Sequence, residues 1–597
     1  MRGRHNSGEA EWSGNWSVIK SLAPYLLEFP FRVFLAIFLL ALAKAASVVM
    51  PLFLKHIVDR LSQPNLELVA VPIALLAGYG LLRFCTTLFG ELRDLVFSRV
   101  AERGMRRIGL TVFRHVHNLD LGFHLDRKTG GLSRDIDRGT NGISFLLRFM
   151  LFNIVPTILE LLLISLILFV NVGSRYVVVT LVAVATYIIF SIVVTDWRLR
   201  FVREMNENDN RSNTRAIDSL LNFETVKYFG NENYEAKIYD QQLEIWENSR
   251  VKSRYSLFAL NVGQALIIAT AITTMMFMAA FDVKAGAITI GAFTMVNLFM
   301  FQLFLPLNFL GFVYREIKTS LANIEKMFGL LDVKTQVADL AGAPDLKTTS
   351  GEIEFKSVDF SYQTKRNILK NISFTVPAGK KLAIVGPSGS GKSTIARLLF
   401  RFYDTSAGGI FIDGQDISKV TQSSVRQLIG VVPQDTVLFN ESIAYNIGYG
   451  DTDANQSEIE SVAHTAQLTE FIQKLPDGYD TTVGERGLKL SGGEKQRIAI
   501  ARTLLKKPTI MIFDEATSSL DSNTEKSILS ALDAAAKNHT TIAIAHRLST
   551  ISDADEIIVL KDGEITERGT HDSLLNINGL YSSMWLNQLE EQSQESL

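Results

Sequence analysis

The chain has 597 residues, of which 47% are hydrophobic and 20% charged, and its formal net charge is −2. This length exceeds that of one ordinary domain, and a charge so close to zero argues against a nucleic-acid partner, which would favour a basic chain. The single cysteine, Cys85, excludes an internal disulfide bond and a cysteine-based metal site.

The first half of the chain contains six apolar windows, each long enough to cross a bilayer, which takes about 20 residues. They are roughly residues 33–54, 69–90, 149–170, 176–195, 257–281 and 286–313. The last three windows carry no charged residue, and the first three carry Lys44, Arg83 and Glu160. We expect these three charges to pair with one another inside an α-helical transmembrane bundle.

Charge in the connecting segments predicts the orientation of the bundle. The segments between windows two and three, and between windows four and five, are long and rich in arginine, whereas 171–175 and 282–285 hold only Arg175 and Lys284. Because positively charged loops stay cytoplasmic, both termini are predicted to be inside. The two long segments have helical periodicity, so we expect the membrane helices to continue into the cytoplasm.

The pattern changes after the last window. We predict a membrane domain over residues 1–330, a linker over 331–350, a second folded domain over 351–588 and a polar tail over 589–597. From residue 351 onward, short β-rich runs alternate with helical segments, which is typical of an α/β fold. The clearest strand runs are residues 353–355, 410–412, 510–513, 541–544 and 556–560.

A phosphate-binding loop follows the apolar run at residues 381–385 and precedes a helical pattern. Its glycines let backbone N–H groups converge on phosphate oxygens at a helix N-terminus. Lys392 is predicted to reach the β- and γ-phosphates, and Ser393 to bind Mg²⁺. The predicted ATP-binding residues of this loop are Gly386, Pro387, Ser388, Gly389, Ser390, Gly391, Lys392, Ser393 and Thr394.

Two further motifs lie downstream at fixed distances. Asp514 ends an apolar strand and is predicted to hold Mg²⁺, and Glu515 is positioned to orient or deprotonate the attacking water. Before them, Leu490–Gln496 presents Ser491, Gly492 and Gly493 at a helix N-terminus, which predicts a second anion site.

In this order, these motifs resemble an ATP-binding-cassette (ABC) ATPase, so residues 351–588 are expected to form an ABC ATP-binding domain. The resemblance implies that Tyr362 stacks on adenine, Gln434 contacts Mg²⁺ and relays to the membrane half, and Asp521 belongs to a loop at the dimer interface. It further implies that Glu515 and His546 are catalytic, His546 being the switch histidine at the γ-phosphate. Exporters of this family use two cassettes and twelve spans, so the chain is expected to form a homodimer with two shared ATP sites. The implied fold is a type IV exporter, a domain-swapped dimer of six-span subunits joined to P-loop ATPase domains.

The membrane half is similar to the Atm-type half-transporters of mitochondria and bacteria. The stretches that carry this similarity are residues 152–157, 219–230 and 306–311, and the cassette stretch 397–404 fits the same group. The similarity implies a small anionic substrate such as glutathione disulfide or a metal– or sulfur–glutathione conjugate. Carried over position by position, the implied substrate residues are Arg198, Arg200, Asn261, Gln264, Asn308, Gly311, Phe312 and Arg315. Two positions depart from the family pattern: Val202 stands where an arginine is common, and Asn308 where an aspartate is common.

Together these features predict an ATP-driven exporter in a bacterial inner membrane, with a mitochondrial inner membrane as the alternative. The bilayer, ATP, Mg²⁺ and a second copy of the chain are its expected partners. Coupling segments are expected near residues 123–132 and 221–234. The alternatives left open are a multidrug or lipid exporter with the same cassette, and a non-transporting ATP-gated channel or regulatory subunit.

Overall fold

The computed structural model describes residues 28–62, 73–126, 129–362, 366–484, 487, 489–514, 522–537, 539–545 and 547–595. The chain separates into two compact units: Met1–Leu119 with Asp126–Lys334, and Asp120–Leu125 with Thr335–Leu597. We call them the membrane unit and the ATPase unit. The predicted domain limits at residues 330, 350 and 588 stay predictions, since a division into units does not define where a linker or a tail begins.

The described residues before 332 are almost entirely helical. The helices are α1 Pro30–Leu61, α2 Ile73–His117, α3 Leu121–Asp126, α4 Thr129–Phe149, α5 Val155–Val172, α6 Ser174–Leu221, α7 Phe223–Phe229, α8 Glu232–Lys284, α9 Ile290–Leu307 and α10 Leu310–Leu331. These helices belong to the membrane unit, except for α3, most of which belongs to the ATPase unit.

Among the described residues, six helical stretches are long and apolar enough to span a membrane, which confirms the predicted bundle. Helix α6 has 48 residues and α8 has 53. At about 1.5 Å per residue each exceeds 70 Å, more than twice the thickness of a hydrocarbon core of about 30 Å. These two helices are therefore long enough to continue beyond the membrane on the side of their polar ends.

The core of the membrane unit lies between α5, α6, α8 and α9. Tyr176, Tyr187, Met275 and Phe299 are fully buried there. Contacts are most extensive between α1 and α2 and between α6 and α8. The α9 N-terminus is fixed to α1, because the Asp59 carboxylate accepts hydrogen bonds from the Gly291 N–H and the Thr289 hydroxyl, each at 2.9 Å.

A polar cluster joins three apolar helices. Lys44 on α1 forms an ion pair of 2.6 Å with Glu160 on α5, which is only 4% exposed. Gln302 on α9 donates to Glu160 at 2.5 Å and to the Ser47 hydroxyl at 2.9 Å. Intramembrane charges are costly unless they are paired in this way. The expectation that Arg83 shares the pairing is wrong: its side chain is exposed on α2, outside this cluster.

Proline shapes two places in the bundle. The sixth apolar window is not one helix, because α9 ends at Leu307, directly after Pro306, and α10 starts at Leu310. Proline lacks the N–H that continues a helix and clashes with the preceding turn. In addition, a π-helical turn at Met150–Ile154 precedes Pro156 in the first turn of α5. Such turns often accommodate irregularity near functional sites.

The ATPase unit contains two sheets within its described residues. The strands are β1 Ile353–Phe360, β2 Leu369–Val376, β3 Lys381–Val385, β4 Ala407–Ile412, β5 Gln415–Asp416, β6 Ile429–Val432, β7 Ile510–Asp514, β8 Thr540–Ile544, β9 Glu556–Lys561 and β10 Glu564–Gly569. A four-stranded antiparallel sheet has the order β2-β1-β4-β5, and a six-stranded sheet has the order β10-β9-β3-β8-β7-β6. The five strand runs predicted from sequence lie in β1, β4, β7, β8 and β9.

Helices cover the six-stranded sheet, whose strands are parallel except for β10. These helices are α11 Lys392–Leu399, α12 Gln422–Leu428, α13 Ile443–Gly448, α14 Gln456–Thr465, α15 Thr469–Gln473, α16 Gly492–Leu505, α17 Ser522–Ala536, α18 His571–Ile577 and α19 Leu580–Glu595. Strands β3, β7 and β8 are buried along nearly their whole length and most of their residues are apolar, as expected for a covered parallel sheet. Their carboxyl ends meet at one edge of the sheet, where ligands of such folds bind.

Asp413 fixes the segment that enters β1. Its carboxylate accepts hydrogen bonds from the N–H groups of residues 349–352 and from the hydroxyls of Thr348 and Ser350, at 2.7 to 3.1 Å. Burial opposes ionisation of this carboxyl, but the hydrogen bonds from Ser350, Thr348 and Gly351 outweigh it and hold the pKa of Asp413 well below its usual range.

An Asp413→Asn variant is expected to lower the stability of the ATPase unit by about 1–2 kcal/mol, because it weakens charge-assisted hydrogen bonds that water partly screens. A lowered folded-state pKa contributes stability that is complete above the unfolded value of about 3.9 and is lost as the pH falls through the folded value. Thermal unfolding of the full-length protein should therefore show a constant deficit at pH 6–8 that shrinks below about pH 4. The exposed Asp477→Asn serves as the control, and an equal deficit in both variants would contradict the assignment.

Candidate functional site

The phosphate-binding loop leaves β3 at the centre of the six-stranded sheet. Gly386 has φ +149° and Gly391 has φ +109°, in the region that favours glycine. A Cβ at Gly386 would overlap the Leu560 carbonyl, and one at Gly391 would lie 2.6 Å from the Leu369 side chain. Glycine is therefore required at both ends of the loop by space as well as by conformation.

Lys392 opens helix α11 and is buried. Its ammonium group donates to the carbonyl oxygens of Gly386 at 2.8 Å and Pro387 at 3.2 Å, which holds it against the loop. The Ser390 hydroxyl is also buried and has no hydrogen-bond partner within the described part of the chain. Pro387, Ser388 and Gly389 are exposed at the tip. The loop thus combines a cation, a buried hydroxyl and exposed backbone, which suits a polyphosphate.

Tyr362 lies beside the helix that follows the loop. Its hydroxyl is 3.2 Å from the Thr394 hydroxyl and accepts a hydrogen bond of 3.2 Å from the Arg397 guanidinium. The rings of Phe360 and Tyr403 contact it edge-on, with centroids at 4.9 and 5.1 Å. The ring is 39% exposed, which leaves surface for a flat ligand. Sequence reasoning missed Arg397 and Tyr403, although both fall within the stretch 397–404 that it singled out.

The predicted metal ligands follow neighbouring strands. Asp514 ends β7, and its Oδ1 atom is buried. Strand register puts Asp514, Ile544 and Ile384 in one row across β7, β8 and β3, level with the start of the loop. Gln434 is exposed two residues after β6, the strand paired with β7.

The donor chemistry at this edge fits Mg²⁺. Ser393 offers a hydroxyl, Gln434 an amide oxygen and Asp514 a carboxylate, and Mg²⁺ prefers a few oxygen ligands together with phosphate and water. The described residues contain no cluster of three or more His, Cys, Asp or Glu side chains that could hold a metal. A metal at this edge would therefore depend on the nucleotide for its remaining ligands.

Ser491 caps helix α16. Its hydroxyl accepts from the Glu494 N–H at 3.4 Å, and the Glu494 carboxylate accepts from the Ser491 N–H at 2.7 Å. This reciprocal capping box fixes the helix start. Ser491 and Gly492 are exposed, and Gly493 is buried. The predicted residues Glu515, Asp521 and His546 lie outside the described residues.

In the membrane unit, part of the predicted substrate site comes together where α6, α8 and α10 meet. Gly311 on α10 allows this approach, since a Cβ there would lie 3.1 Å from the Thr195 hydroxyl and 3.2 Å from Leu260. Arg198 on α6 and Arg315 on α10 are near enough to repel each other electrostatically. The Arg198 Nε atom is buried and has no hydrogen-bond partner among the residues that the structure describes.

The predicted substrate residues Phe312, Gln264 and Asn261 have different surroundings. The guanidinium of Arg315 lies 5.5 Å from the Phe312 ring. Gln264 is buried and donates to the Ser191 hydroxyl on α6 at 2.8 Å, which is the interhelical hydrogen bond expected of such residues. Asn261, one turn earlier on α8, is exposed.

Two residues predicted to belong to the substrate site, Arg200 and Asn308, do not have the surroundings expected of them. Arg200 is exposed and stacks on Trp197 and Phe201, at 5.4 and 4.6 Å, because residues two apart on a helix face different directions. Asn308 is not on a helical stripe with Arg315, since it lies in the break between α9 and α10. There its side-chain oxygen is 3.3 Å from the Tyr187 hydroxyl, which also donates to the Leu307 carbonyl at 3.0 Å.

Sequence reasoning found Arg198 on the α6 side of this junction but missed the three polar residues that precede it on the same helix face. Tyr187, Ser191, Thr195 and Arg198 follow one another at spacings of four, four and three residues. That spacing places them on one helix face, and all but Arg198 are less than 3% exposed. The spacing is visible in the sequence, so a search for polar stripes in the fourth apolar window would have found it.

Comparisons with known proteins match both units. The family profile of the ABC transporter transmembrane region matches residues 33–307, and a second profile, described as ABC transporter, matches residues 369–518. The chain is 50% identical over 567 residues to a protein of Oryzias latipes named mitochondrial iron-sulfur clusters transporter ABCB7, covering 93% of this chain and 76% of that protein. It is also 50% identical over 568 residues to the human protein of that name, covering 93% and 75%.

Similar matches come from a fungus and from a solved structure. The chain is 47% identical over 586 residues to the mitochondrial iron-sulfur clusters transporter atm1 of Aspergillus fumigatus, covering 96% of this chain and 80% of that protein. The solved structure of a bacterial Atm1-family ABC exporter with ATP bound superposes with a TM-score of 0.82 at 47% identity, covering 94% of this chain and 98% of the other. These matches extend through both the membrane unit and the ATPase unit.

Proposed function

The chain belongs to the Atm1/ABCB7 family of ABC transporters, and on that premise we propose that it exports a hydrophilic anionic sulfur compound, a glutathione derivative, at the expense of ATP. It is a multi-pass membrane protein whose ATPase domain couples hydrolysis to transport. We further propose the inner membrane of a bacterium as its location, with the mitochondrial inner membrane as the alternative. Its curated relatives carry the name of iron-sulfur cluster transporters, which is consistent with sulfur-containing cargo.

The observation that carries the substrate proposal is the pair Arg198 and Arg315. Two guanidinium groups that repel each other favour an anion between them, and the buried Nε of Arg198 has no hydrogen-bond partner in the described part of the chain. A carboxylate matches the planar guanidinium fork with two parallel hydrogen bonds. A glutathione derivative carries several carboxylates, so it can satisfy both arginines, and Asn261 and Phe312 are available for its peptide and apolar parts.

On the nucleotide side, we propose that the loop from Gly386 to Thr394 cradles the phosphates of ATP and that Tyr362 stacks on adenine. Lys392 would exchange its carbonyl partners for phosphate oxygens, and Ser390 would donate its hydroxyl to the same group. Mg²⁺, when bound through Ser393, Gln434 and Asp514, neutralises charge on the β- and γ-phosphates.

The remaining roles rest on sequence alone. We propose that Glu515 orients or deprotonates the attacking water, that His546 contacts the γ-phosphate, and that Asp521 lies at the dimer interface. Ser491, Gly492 and Gly493 would bind the ATP of the partner chain, because a helix N-terminus with exposed N–H groups attracts anions. The exposure of Ser491 and Gly492 supports this role.

Exposed apolar surface supports a homodimer. In the membrane unit, the turn between α6 and α8 exposes Leu220, Leu221, Tyr228 and Phe229 by 73–81%. The ATPase unit exposes a second apolar patch, formed by Val437, Phe439, Tyr445 and Tyr449. Apolar patches of this kind mark interaction sites. We propose that each patch is covered by the partner chain, as in a domain-swapped exporter.

The proposal distinguishes this transporter from the alternatives. A multidrug or lipid exporter would need an apolar binding surface, whereas the predicted substrate residues at the junction of α6, α8 and α10 include Arg198, Arg315 and Asn261. A non-transporting channel or regulator has no need of an intact catalytic carboxylate, and Glu515 is present. ATP-dependent uptake of the substrate into inverted vesicles would distinguish a pump from a non-transporting channel or a regulatory subunit.

Arg315→Ala is expected to abolish stimulation of ATP hydrolysis by oxidised glutathione, or to shift half-maximal stimulation upward by about 10- to 100-fold, while basal hydrolysis survives. The size follows from losing a two-bond contact to a charged group, worth roughly 1.5–3 kcal/mol. Arg315→Lys should be less severe, because it keeps the charge but loses the fork. Hydrolysis is measured in lipid with glutathione, oxidised glutathione and metal conjugates.

The matched control is Arg250→Ala, which removes an exposed arginine stacked at 5.0 Å on Trp246, about three turns before Asn261 on α8. This variant should keep the wild-type response. If oxidised glutathione and its conjugates fail to stimulate the unmutated protein while apolar drugs succeed, the multidrug alternative replaces the present proposal.

A further inference from the structure

A cavity of about 600 Å³ lies between α2 and α4 in the membrane unit. Its lining residues come from the stretch 93–98 of α2, the stretch 141–149 of α4 and the π-helical turn Met150–Ile154. Small-molecule sites usually have volumes of roughly 300–1,000 Å³, so the cavity is large enough for a small polar ligand. The predicted substrate residues all lie within the described part of the chain, and none of them lines this cavity.

Two arginines supply positive charge to the cavity. The Arg93 guanidinium lies 4.5 Å from the centre of the Phe152 ring, and its Nε donates to the Asp94 carboxylate at 2.9 Å. Arg148 forms an ion pair of 2.7 Å with Glu102. The carboxylates of Asp94 and Glu102 are 54% and 62% exposed. Because ion pairs of exposed groups are weak, neither pairing prevents the arginines from binding a further anionic group.

Uncharged groups complete the lining. The Phe97 ring is 1% exposed and packs edge-on against Phe152, with the ring centres 4.7 Å apart, so this wall of the cavity is held in place. Asn141 on α4 and Asn153 in the π-helical turn are exposed. Their amides can donate to the oxygen atoms of a polar ligand and accept from its N–H or O–H groups.

The cavity lies at the cytoplasmic ends of two membrane spans. The second apolar window ends at residue 90 and the third begins at residue 149, and the segment between them is predicted to be cytoplasmic. The lining residues are therefore at the level of the lipid headgroups of the cytoplasmic leaflet. Towards the membrane, Leu88 on α2 and Val155 and Ile158 on α5 are 38–54% exposed, which suits contact with acyl chains.

We propose that this cavity binds the headgroup of a zwitterionic phospholipid, phosphatidylethanolamine. The lipid phosphate binds Arg93 and Arg148, whose planar guanidinium groups match phosphate oxygens, and the primary ammonium group donates to Asp94. Basic pockets between membrane helices on the cytoplasmic side are typical sites for lipid headgroups.

The charges of the cavity favour a zwitterion over an anion. Arg93 and Arg148 are balanced by Asp94 and Glu102, so a headgroup with one charge of each sign fits without an excess of either. Phosphatidylglycerol would bring a phosphate but no cation for Asp94. The quaternary ammonium of phosphatidylcholine has no N–H group and cannot donate a hydrogen bond to that carboxylate.

The cavity also borders the predicted substrate residues. Phe145 and Phe149 line it, and their rings contact Phe312 edge-on, with ring centres 6.2 and 6.4 Å apart. A glutathione derivative carries carboxylates and an ammonium group, so the transported substrate is the alternative occupant that an experiment has to exclude.

Native mass spectrometry of the full-length protein, stripped of lipid in detergent, measures the binding of added phospholipids. We expect one phosphatidylethanolamine per chain, bound more tightly than phosphatidylcholine or phosphatidylglycerol. Arg93→Gln should weaken this binding by about tenfold, because a charge-assisted contact to phosphate is lost. Asp94→Asn should shift the preference towards phosphatidylglycerol. Arg99→Ala is the matched control, since it removes an exposed arginine of α2 that does not line the cavity.

Arg93→Lys keeps the charge but not the planar fork and should bind with intermediate affinity, so it replaces Arg93→Gln if that variant does not fold. Equal affinity for the three lipids, or equal losses in Arg93→Gln and Arg99→Ala, would overturn the proposal. Displacement of phosphatidylethanolamine by an excess of oxidised glutathione would assign the cavity to the transported substrate instead. If the unmutated protein bound no phospholipid, the partner chain would be the better candidate for covering this cavity, and the proposal would be refuted.

Discussion

Glu515→Gln is expected to bind ATP with wild-type affinity and to lose at least about 99% of steady-state hydrolysis. The substitution keeps the shape of the side chain but removes the carboxylate that orients or deprotonates water, a function typically worth 10²–10⁴ in rate. Because in the proposed dimer ATP would still join the two phosphate-binding loops to the opposing Ser491 segments, the variant should accumulate as a closed dimer. Hydrolysis, ATP occupancy and cross-linking across the dimer measure the three consequences separately.

The control for this experiment is Glu470→Gln, an exposed carboxylate on α15 outside the predicted site. It removes the same charge and should leave turnover and closure unchanged. Turnover near wild type in Glu515→Gln would show that another group activates the water.

The second large effect concerns the shared ATP sites. A dimer with Lys392→Ala on one chain and Ser491→Arg on the other is expected to retain one intact site, because both changes fall in the same composite site. Placing both changes on one chain and none on its partner should damage both sites, since we propose that each site draws its loop from one chain and its Ser491 segment from the other. The two arrangements contain identical substitutions, so each controls for the other.

Purified mixed dimers with different affinity tags allow the two arrangements to be compared. We expect close to one tightly held ATP per dimer when the substitutions are on different chains, and none when they share a chain. Equal ATP occupancy and equal cross-linking would contradict the head-to-tail arrangement of the two ATPase domains.

The nucleotide half could be predicted in detail because its requirements are local. Gly386 and Gly391 need a positive φ and free space, Lys392 must begin a helix, and Asp514 must end a strand. Each requirement leaves a signal within a few residues of the chain. Arg397 and Tyr403 were missed because they contact Tyr362 only through the tertiary fold. The spacing of residues along the sequence does not predict such a contact.

The membrane half was less predictable because spacing tells which residues share a helix face, but not which neighbour that face meets. Asn308 and Arg315 have the spacing of one helix face, yet α9 ends directly after Pro306, so Asn308 lies in the break and Arg315 on α10. Lys44 and Glu160 pair as expected. Arg83 also lies in an apolar stretch of the sequence, but its side chain is on an exposed face of its helix. Arg200 and Arg198 are two residues apart and therefore belong to different surroundings.

The polar cluster of Lys44, Glu160 and Gln302 also constrains how the bundle can move. Separating these groups in an apolar environment would leave a charge and an amide without partners, which is costly. Helices α1, α5 and α9 should accordingly travel as one rigid body during the transport cycle. The hinges and sliding contacts that expose the cargo site alternately to the two sides of the membrane must then lie elsewhere, along α6, α8 and the break after Pro306.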